Sequence, residues 1–394
     1  AKADDIGGNI KINGVIKTGS TQIKDGKVEI NTTDDAQSSE DLKLSDLASV
    51  VKDLWNLLSN NNYYLEAVGG AASTENTKFT GAGSFTVLVI NDYVAALVGK
   101  NVTLILTDGL TVKAASKVNA VTIAGSVAYG GSKSAGVGIN TIIHNSKVNA
   151  GLGDGSTVTG ANGGSWNGDV TISASGELDL TSILVAAAAS SSKSGNGTQA
   201  AGEGVVNIFV NGNSVTAEIG KNATIKTKGN VKVTAASRLG YTGITGGIAA
   251  SGGHGIGASV SVIVVNTNTL TQIGNGANIT AGGNLTVSAD SEETIVAVIV
   301  NGAAAGSNGV AAAVSPAVNV IKGSTVARAG TGTYNVNAMS VTANSKTVIV
   351  IVSGGAAISS GKSGVGGSVQ VNVFLKKVLA EIADGTSSDY AAII

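Results

Sequence analysis

Cysteine is absent from this 394-residue sequence, and proline occurs once, at Pro316. Without thiols the chain forms neither disulfides nor thiolate metal sites. That suits the cytosol, and it suits equally a chain exported unfolded that must not crosslink on the way. Aromatic residues supply 3% of the sequence and charged residues 13%, half the usual globular share of charge. Too few large side chains are present to fill a thick globular core. Disorder is excluded from the other side, because disordered chains are poor in apolar residues and rich in charge, whereas 43% of this one is hydrophobic. The net charge of −1, with no clustered Lys and Arg, offers nothing to nucleic acid. An unbroken run of about 20 apolar residues, as a membrane helix needs, is missing too. Residues 239–289 and 294–321 lack charge, but glycine and polar residues such as Gly302, Gly306, Ser307 and Asn308 interrupt the second run. Both are read as strands and turns, so no transmembrane segment is expected.

What is abundant is glycine, 56 residues of it, together with Val, Ile and Ala in a repeating order. An alternating segment recurs at Leu110–Ala114, Val170–Ala174, Val231–Ala235, Leu285–Ala289 and Met339–Ala343, so successive copies start 60, 61, 54 and 54 residues apart. Apolar residues take its first, third and fifth positions, with Lys, Thr or Ser between, the period of a strand with one buried face. A second apolar strand ends at Asn91, Asn145, Asn211, Asn266, Asn319 and Asn372. From the first five of these to the end of the next alternating segment the count is 23, 29, 24, 23 and 24 residues. The longer interval contains an insertion over 160–167, and a second insertion lies near 190–202. Insertions confined to glycine-rich turns are what a stacked repeat tolerates.

These landmarks predict an all-β fold, a parallel β-solenoid of about six 54–61-residue repeats, with boundaries at 64–116, 117–176, 177–237, 238–291, 292–345 and 346–394. Each unit reads as two coils, which gives a rod on the order of 50–60 Å. A partial repeat occupies 1–33, where Lys27–Thr33 resembles the alternating segment. A helical insertion is expected over 34–63, because Leu44, Leu47, Val51, Leu54, Trp55 and Leu58 fall at helical spacing near 44–59 behind an N-cap at Ser45. The chain starts Ala1-Lys2-Ala3 and stops inside a unit, so it reads as an excised piece of a longer protein. The six asparagines are expected to stack as a structural ladder, each amide bonding the next.

The order of apolar strand, Gly-Val-Gly turn as at Gly136–Gly138, Asn-terminated strand and alternating segment resembles the repeat region of large filamentous adhesins. It is most similar to the leukotoxin-like, filamentous-haemagglutinin-like exoproteins of anaerobic Gram-negative bacteria. The resemblance covers 64–394 well and 1–33 loosely. It implies type V secretion, an extracellular place at the bacterial cell surface in association with the outer membrane, and adhesion or fibre formation, with itself and host or bacterial surface receptors as partners.

Chemistry is sparse. His144 and His254 lie in different repeats, and both are expected on surfaces or turns. Gly361-Lys362-Ser363 fails as a phosphate loop, because Ala356 stands where glycine is required. One Gly-Asp turn at Asp154 falls short of a calcium repeat, which needs Asp in many successive turns. Asp290, Glu292 and Glu293 are expected at a solvated turn, and Trp166 is the best candidate for stacking on a sugar. No catalytic residue, cofactor site or metal site is therefore expected, and the chain is read as a surface fibre and not as an enzyme. Two other classes stay open. A carbohydrate-active β-helix enzyme would show two or more carboxylates in a shallow groove. A toxin passenger acting on membranes would show a further exposed amphipathic surface beyond 44–59.

Overall fold

The computed structural model describes residues 63–73, 77–190 and 199–383 in full, and the backbone of Gly7–Ile12, Gly14–Thr18, Thr21–Gln22, Val28–Asp34 and Ser387–Asp389. The helix expected near 44–59 lies outside these residues.

Alternation with period 2 is sustained far longer than the repeated segments suggested. The alternating segment and the apolar run after it form one strand, as in Leu285–Ala305. The Asn-ended strand likewise runs on through the short segment that follows it, as in Ala200–Ile219. Each repeat thus contributes two strands of about 20 residues and one of three to five, such as Thr224–Thr227. The chain is a parallel β-solenoid of three sheets. Long sheet I stacks Leu110–Tyr129, Val170–Ser190, Val231–Ser251, Leu285–Ala305 and Met339–Ser359 in parallel register. Long sheet II stacks Thr80–Val98, Lys133–Leu152, Ala200–Ile219 and His254–Ile273. Its next two rungs are each split, into Val310–Val314 with Ala317–Ala329 and Ser363–Gly367 with Gln370–Ile382. The first split falls at Pro316, which has no N–H to give the ladder. The short sheet closes the third side through Thr103–Leu106, Thr157–Thr159, Thr224–Thr227, Ala277–Ala281 and Gly332–Asn335.

One repeat is therefore one coil and not two. Leu285 pairs with Val231 and with Met339, one whole repeat away on either side. At about 4.8 Å per rung, six rungs give a body on the order of 30 Å along the stack and 65 Å across a long strand, half the expected length and much broader. Near the start of the chain, Val28–Asp34 lies parallel to Leu110–Ser116, and Gly7–Ile12 and Gly14–Thr18 add antiparallel partners to sheet I and the short sheet.

Two corners join the short sheet to its neighbours, and each has a local cause. Where sheet II turns into the short sheet, the left-handed backbone position is taken by Asn101, Gly155, Asn222 and Gly276, with φ of 55°, 67°, 54° and 78°. Only Gly and Asn visit that region at small cost. Where the short sheet turns into sheet I, Asp169, Asn230, Asn284 and Asn337 form a ladder. Asn230 donates to Asp169 at 3.1 Å and Asn337 to Asn284 at 3.0 Å, while the Asn284 backbone N–H donates to Asn230 at 2.9 Å.

Packing divides the cross-section in two. The corner region, where three sheets meet, is a dry prism of Val, Leu, Ile and Ala, including Leu110, Val112, Val215, Ile225, Val231, Val233, Leu285 and Val287, all fully buried. Burial of each such side chain stabilises by roughly 1.5–3 kcal/mol. Lys232, Thr234, Thr286 and Ser288 alternate with them and face outward. Beyond the prism the two long sheets continue alone as a double-layered arm. A second apolar cluster fills its base, with Phe209 and Tyr241 stacked at 4.4 Å. Towards its tip the inner side chains shrink to Ala and Gly. There the backbones come close, and a Cβ added at Gly136 would sit 2.6 Å from the Ala187 carbonyl oxygen.

Candidate functional site

Polar chemistry inside the arm is gathered into layers between the sheets. The layer nearest the prism holds His144, which is 2% exposed, so its expected surface position is corrected: it is a core residue. His144 Nδ1 lies 2.7 Å from Asn211 Oδ1 and Nε2 lies 3.3 Å from Asp92 Oδ2, while Ser116 Oγ donates to the same Asp92 oxygen at 3.1 Å. Ser, His and Asp are present, but in the wrong order for a nucleophile. A catalytic serine must give its proton to the histidine, whereas here the aspartate lies between the two and the group is sealed. The arrangement joins three consecutive coils, and holding them in register is what it can do. His254, by contrast, is at the arm's tip turn, where its Nδ1 accepts the Val310 backbone N–H at 3.2 Å.

Farther out, Asn140 and Asn207 occupy the same column of adjacent rungs. Asn140 Nδ2 donates to Thr122 at 2.9 Å and Ser182 at 2.8 Å, and Asn207 Nδ2 donates to Tyr241 Oη at 3.0 Å. Burial pushes the Tyr241 phenol up to about 12, so it serves as a neutral partner. Nearer the tip, Asn301 donates to Glu203 at 2.7 Å and to Ser259 at 2.8 Å. Burial pushes the Glu203 carboxyl up to about 7, against the opposing pull of Asn301 and the Ala258 backbone N–H. This interior network was missed by sequence reasoning. Its signal is a polar residue at an inward position of an otherwise apolar alternation, as at Asn140 and Asn207.

The expected ladder of six asparagines is corrected. Asn91 and Asn145 are in register and bonded at 3.0 Å, and Asn319 and Asn372 are in register and bonded at 2.9 Å. Asn211, however, is paired with His144, and its neighbour Gly212 occupies the column of Asn145 and Asn266. Asn319 is paired with Ile263. The six residues fall into three columns, and Asn211 and Asn319 point inward while Asn91, Asn145 and Asn266 point outward. A one-residue offset moves a side chain to the opposite face.

The carboxylates and Trp166 also differ from expectation. Asp290, Glu292 and Glu293 lie within the strand Leu285–Ala305 and not in a turn. Glu293 is wholly buried, where it accepts the Lys376 ammonium and, at 2.7 Å, the Thr347 hydroxyl. Glu292 belongs to an outward column of alternating charge, Lys117, Glu177, Arg238, Glu292 and Lys346, with ion pairs of 3.9, 2.9 and 2.9 Å. The Lys346 ammonium holds the Glu292 carboxyl below its ordinary range. Trp166 is 5% exposed and packs into the prism, so no sugar reaches its face. Asp154 accepts the Lys221 backbone N–H and pairs with Lys100 at 3.0 Å, and these hold its carboxyl below the usual range. With two lysines already at hand, that turn is poorly suited to a cation. Around it Glu218, Gln272 and Arg328 line a shallow polar groove.

The outer face of sheet II supplies what the interior does not, an accessible and chemically uniform surface. Three adjacent outward columns carry Val, Ile and Phe in nearly every rung, from Phe85, Val87 and Val89 through Val206, Ile208 and Val210 to Val371 and Val373. Phe85 is 63% exposed and Val89 52% on the first rung of this sheet, whereas Val206, Ile208 and Val210 and their neighbours Val260, Val262 and Val264 on the middle rungs face outward but are half-buried. No charged side chain falls in these columns among the described residues. On one side they are bordered by the polar column of Asn91, Asn145, Asn266 and Lys322.

Comparison with known proteins returns no matching family, no matching curated protein and no matching solved structure.

Proposed function

We propose that this chain is a structural and adhesive fibre segment of an extracellular bacterial surface protein, attaching to surface receptors or to copies of itself. The observation that carries this reading is the long apolar belt on the outside of a continuous stack of parallel strands. Monomeric soluble proteins rarely expose contiguous apolar patches of more than a few hundred Å², and larger ones mark interaction sites. The interior polar groups support the same reading, since they bond one coil to the next and are closed to a substrate. The resemblance to filamentous-haemagglutinin-like exoproteins adds the route, type V secretion to the cell surface. Beads coated with the purified chain should clump or bind host and bacterial cells well above albumin-coated beads. Binding equal to the albumin control overturns the proposal.

A further inference from the structure

The apolar belt on sheet II has a geometry that selects its occupant. We infer that it is a lateral docking face for the same face of a second copy of this chain, forming a paired-sheet interface; this deepens the proposed fibre role and rests on it. Val206, Ile208 and Val210 of one rung lie in register with Val260, Val262 and Val264 of the next. Mostly Val and Ile side chains therefore recur every ~4.8 Å along the stack and every ~6.7 Å across it. Ridges with that spacing interdigitate best with grooves of the same spacing, as in dry interfaces between paired sheets about 10 Å apart.

Area supports the same occupant. Three columns and six rungs span on the order of 600 Å², so two copies face to face bury about 1,200 Å², at the lower bound of a specific interface. Nearer the arm's tip a further uncharged outward column, Ala135, Gly202, Ile256, Ala312 and Val365, extends the apolar face. A two-fold contact of one face with itself closes on a pair. The bordering polar column, with Asn145 and Lys322, then forms a solvated rim.

The test is sedimentation velocity on the full chain beside the double variant Ile208→Lys and Val262→Lys, with Thr234→Lys on the outside of sheet I as a control. All three side chains point to solvent in a single copy, so each variant should keep the wild-type far-UV circular dichroism. The inference expects pairs or larger assemblies for the wild type and the control. It expects at least about a tenfold weaker association for the double variant. Equal association of the double variant and wild type overturns it, and so does a monomeric wild type. A monomeric wild type that floats with phosphatidylcholine vesicles, where the double variant does not, assigns the belt to lipid and overturns it as well. Bead adhesion is scored separately. Adhesion that persists in the double variant leaves the fibre role intact while the pairing fails, and pairing without adhesion does the reverse.

Discussion

The corner prism and the arm are built from the same strands, yet they solve burial in opposite ways. In the prism three sheets converge, inward positions are Leu, Val and Ile, and outward ones are Lys, Thr and Ser. In the outer arm only two sheets face each other. Inward positions become mostly Ala, Gly, Ser, Asn and Glu, with Leu184 and Val205 still buried among them, while many Val and Ile lie outside. A single strand passes through both regimes without a break, as Val231–Ser251 does from Val231 to Ile248, which is 61% exposed. Hydrophobic pattern alone therefore does not tell the inside of this protein from the outside. The presence of a third sheet does, because it sets how much volume the inward side chains must fill.

Placing the same charge in each region breaks the comparison most sharply. Leu285→Asp puts an unpaired carboxylate into a fully buried site and should cost more than about 4 kcal/mol, enough to unfold the central coils. Ile248→Asp on the arm's exterior should stay within about 1 kcal/mol, since the side chain is already largely in water. Urea melts of the two variants against wild type measure the gap. Comparable losses would mean that the arm's exterior is covered in solution.

At the boundary of the two regions an ion pair of the partly exposed Lys376 with the wholly buried Glu293 replaces hydrophobic contact. Leu239 fills the column of Glu293 one rung earlier. Lys376→Met leaves Glu293 buried without its cation and should destabilise by about 3–5 kcal/mol. Adding Glu293→Leu to it should recover most of that loss, because the column then matches its neighbour. If the double variant is no better than the single one in the same melts, the pair contributes something other than mutual neutralisation.

The arm should also respond to pH where the prism does not. The Glu203 carboxyl titrates near 4.5 when unfolded and at about 7 when folded, because burial favours its neutral form. Between those values the native state keeps a proton that the unfolded state has released. Stability from this group is thus full below about 4.5 and is lost as pH rises through about 7, by roughly 1–3 kcal/mol. Glu203→Gln keeps a neutral side chain of the same size and should flatten that slope. Hydrogen exchange of the tip segments from pH 4 to 8 reads the effect, and an unchanged slope in the variant would assign it elsewhere.

How far the sequence revealed this architecture follows from the same contrast. The solenoid, the repeat and the inward set from Val231 to Ala289 were legible, because period-2 alternation in the prism is strong and its insides are apolar. One coil reads as two because glycine and alanine inside the arm look like turns, as at Gly136–Gly138, which lies within the strand Lys133–Leu152. The polar layers were hidden because single Asn, Ser and Glu residues at inward positions carry no local mark of burial. Trp166 and Glu293 were misplaced for a related reason, since neither identity nor spacing shows which coil above or below would cover them.

The asparagines give the finest test, because the decisive signal was one residue wide. The outward Asn91 and Asn266 stand 23 residues before the end of the next alternating segment, whereas the inward Asn211 and Asn319 stand 24 before it. Treated as equal, these intervals gave one ladder; read by parity, they separate the outward asparagines from the inward ones. Energetics should separate them too. Asn207→Ala removes the buried amide that donates to Tyr241 and Thr245 and accepts from Ser182, and should cost about 1–3 kcal/mol. Asn284→Ala removes one rung of the exposed corner ladder, where water replaces the lost amide, and should cost no more than about 1 kcal/mol. Asn145→Ala breaks only the exposed bond to Asn91 and should fall within about 0.5 kcal/mol of wild type. Denaturation midpoints in that order place the register with the buried and corner amides. A loss at Asn145 as large as that at Asn207 would return the structural role to the outward column.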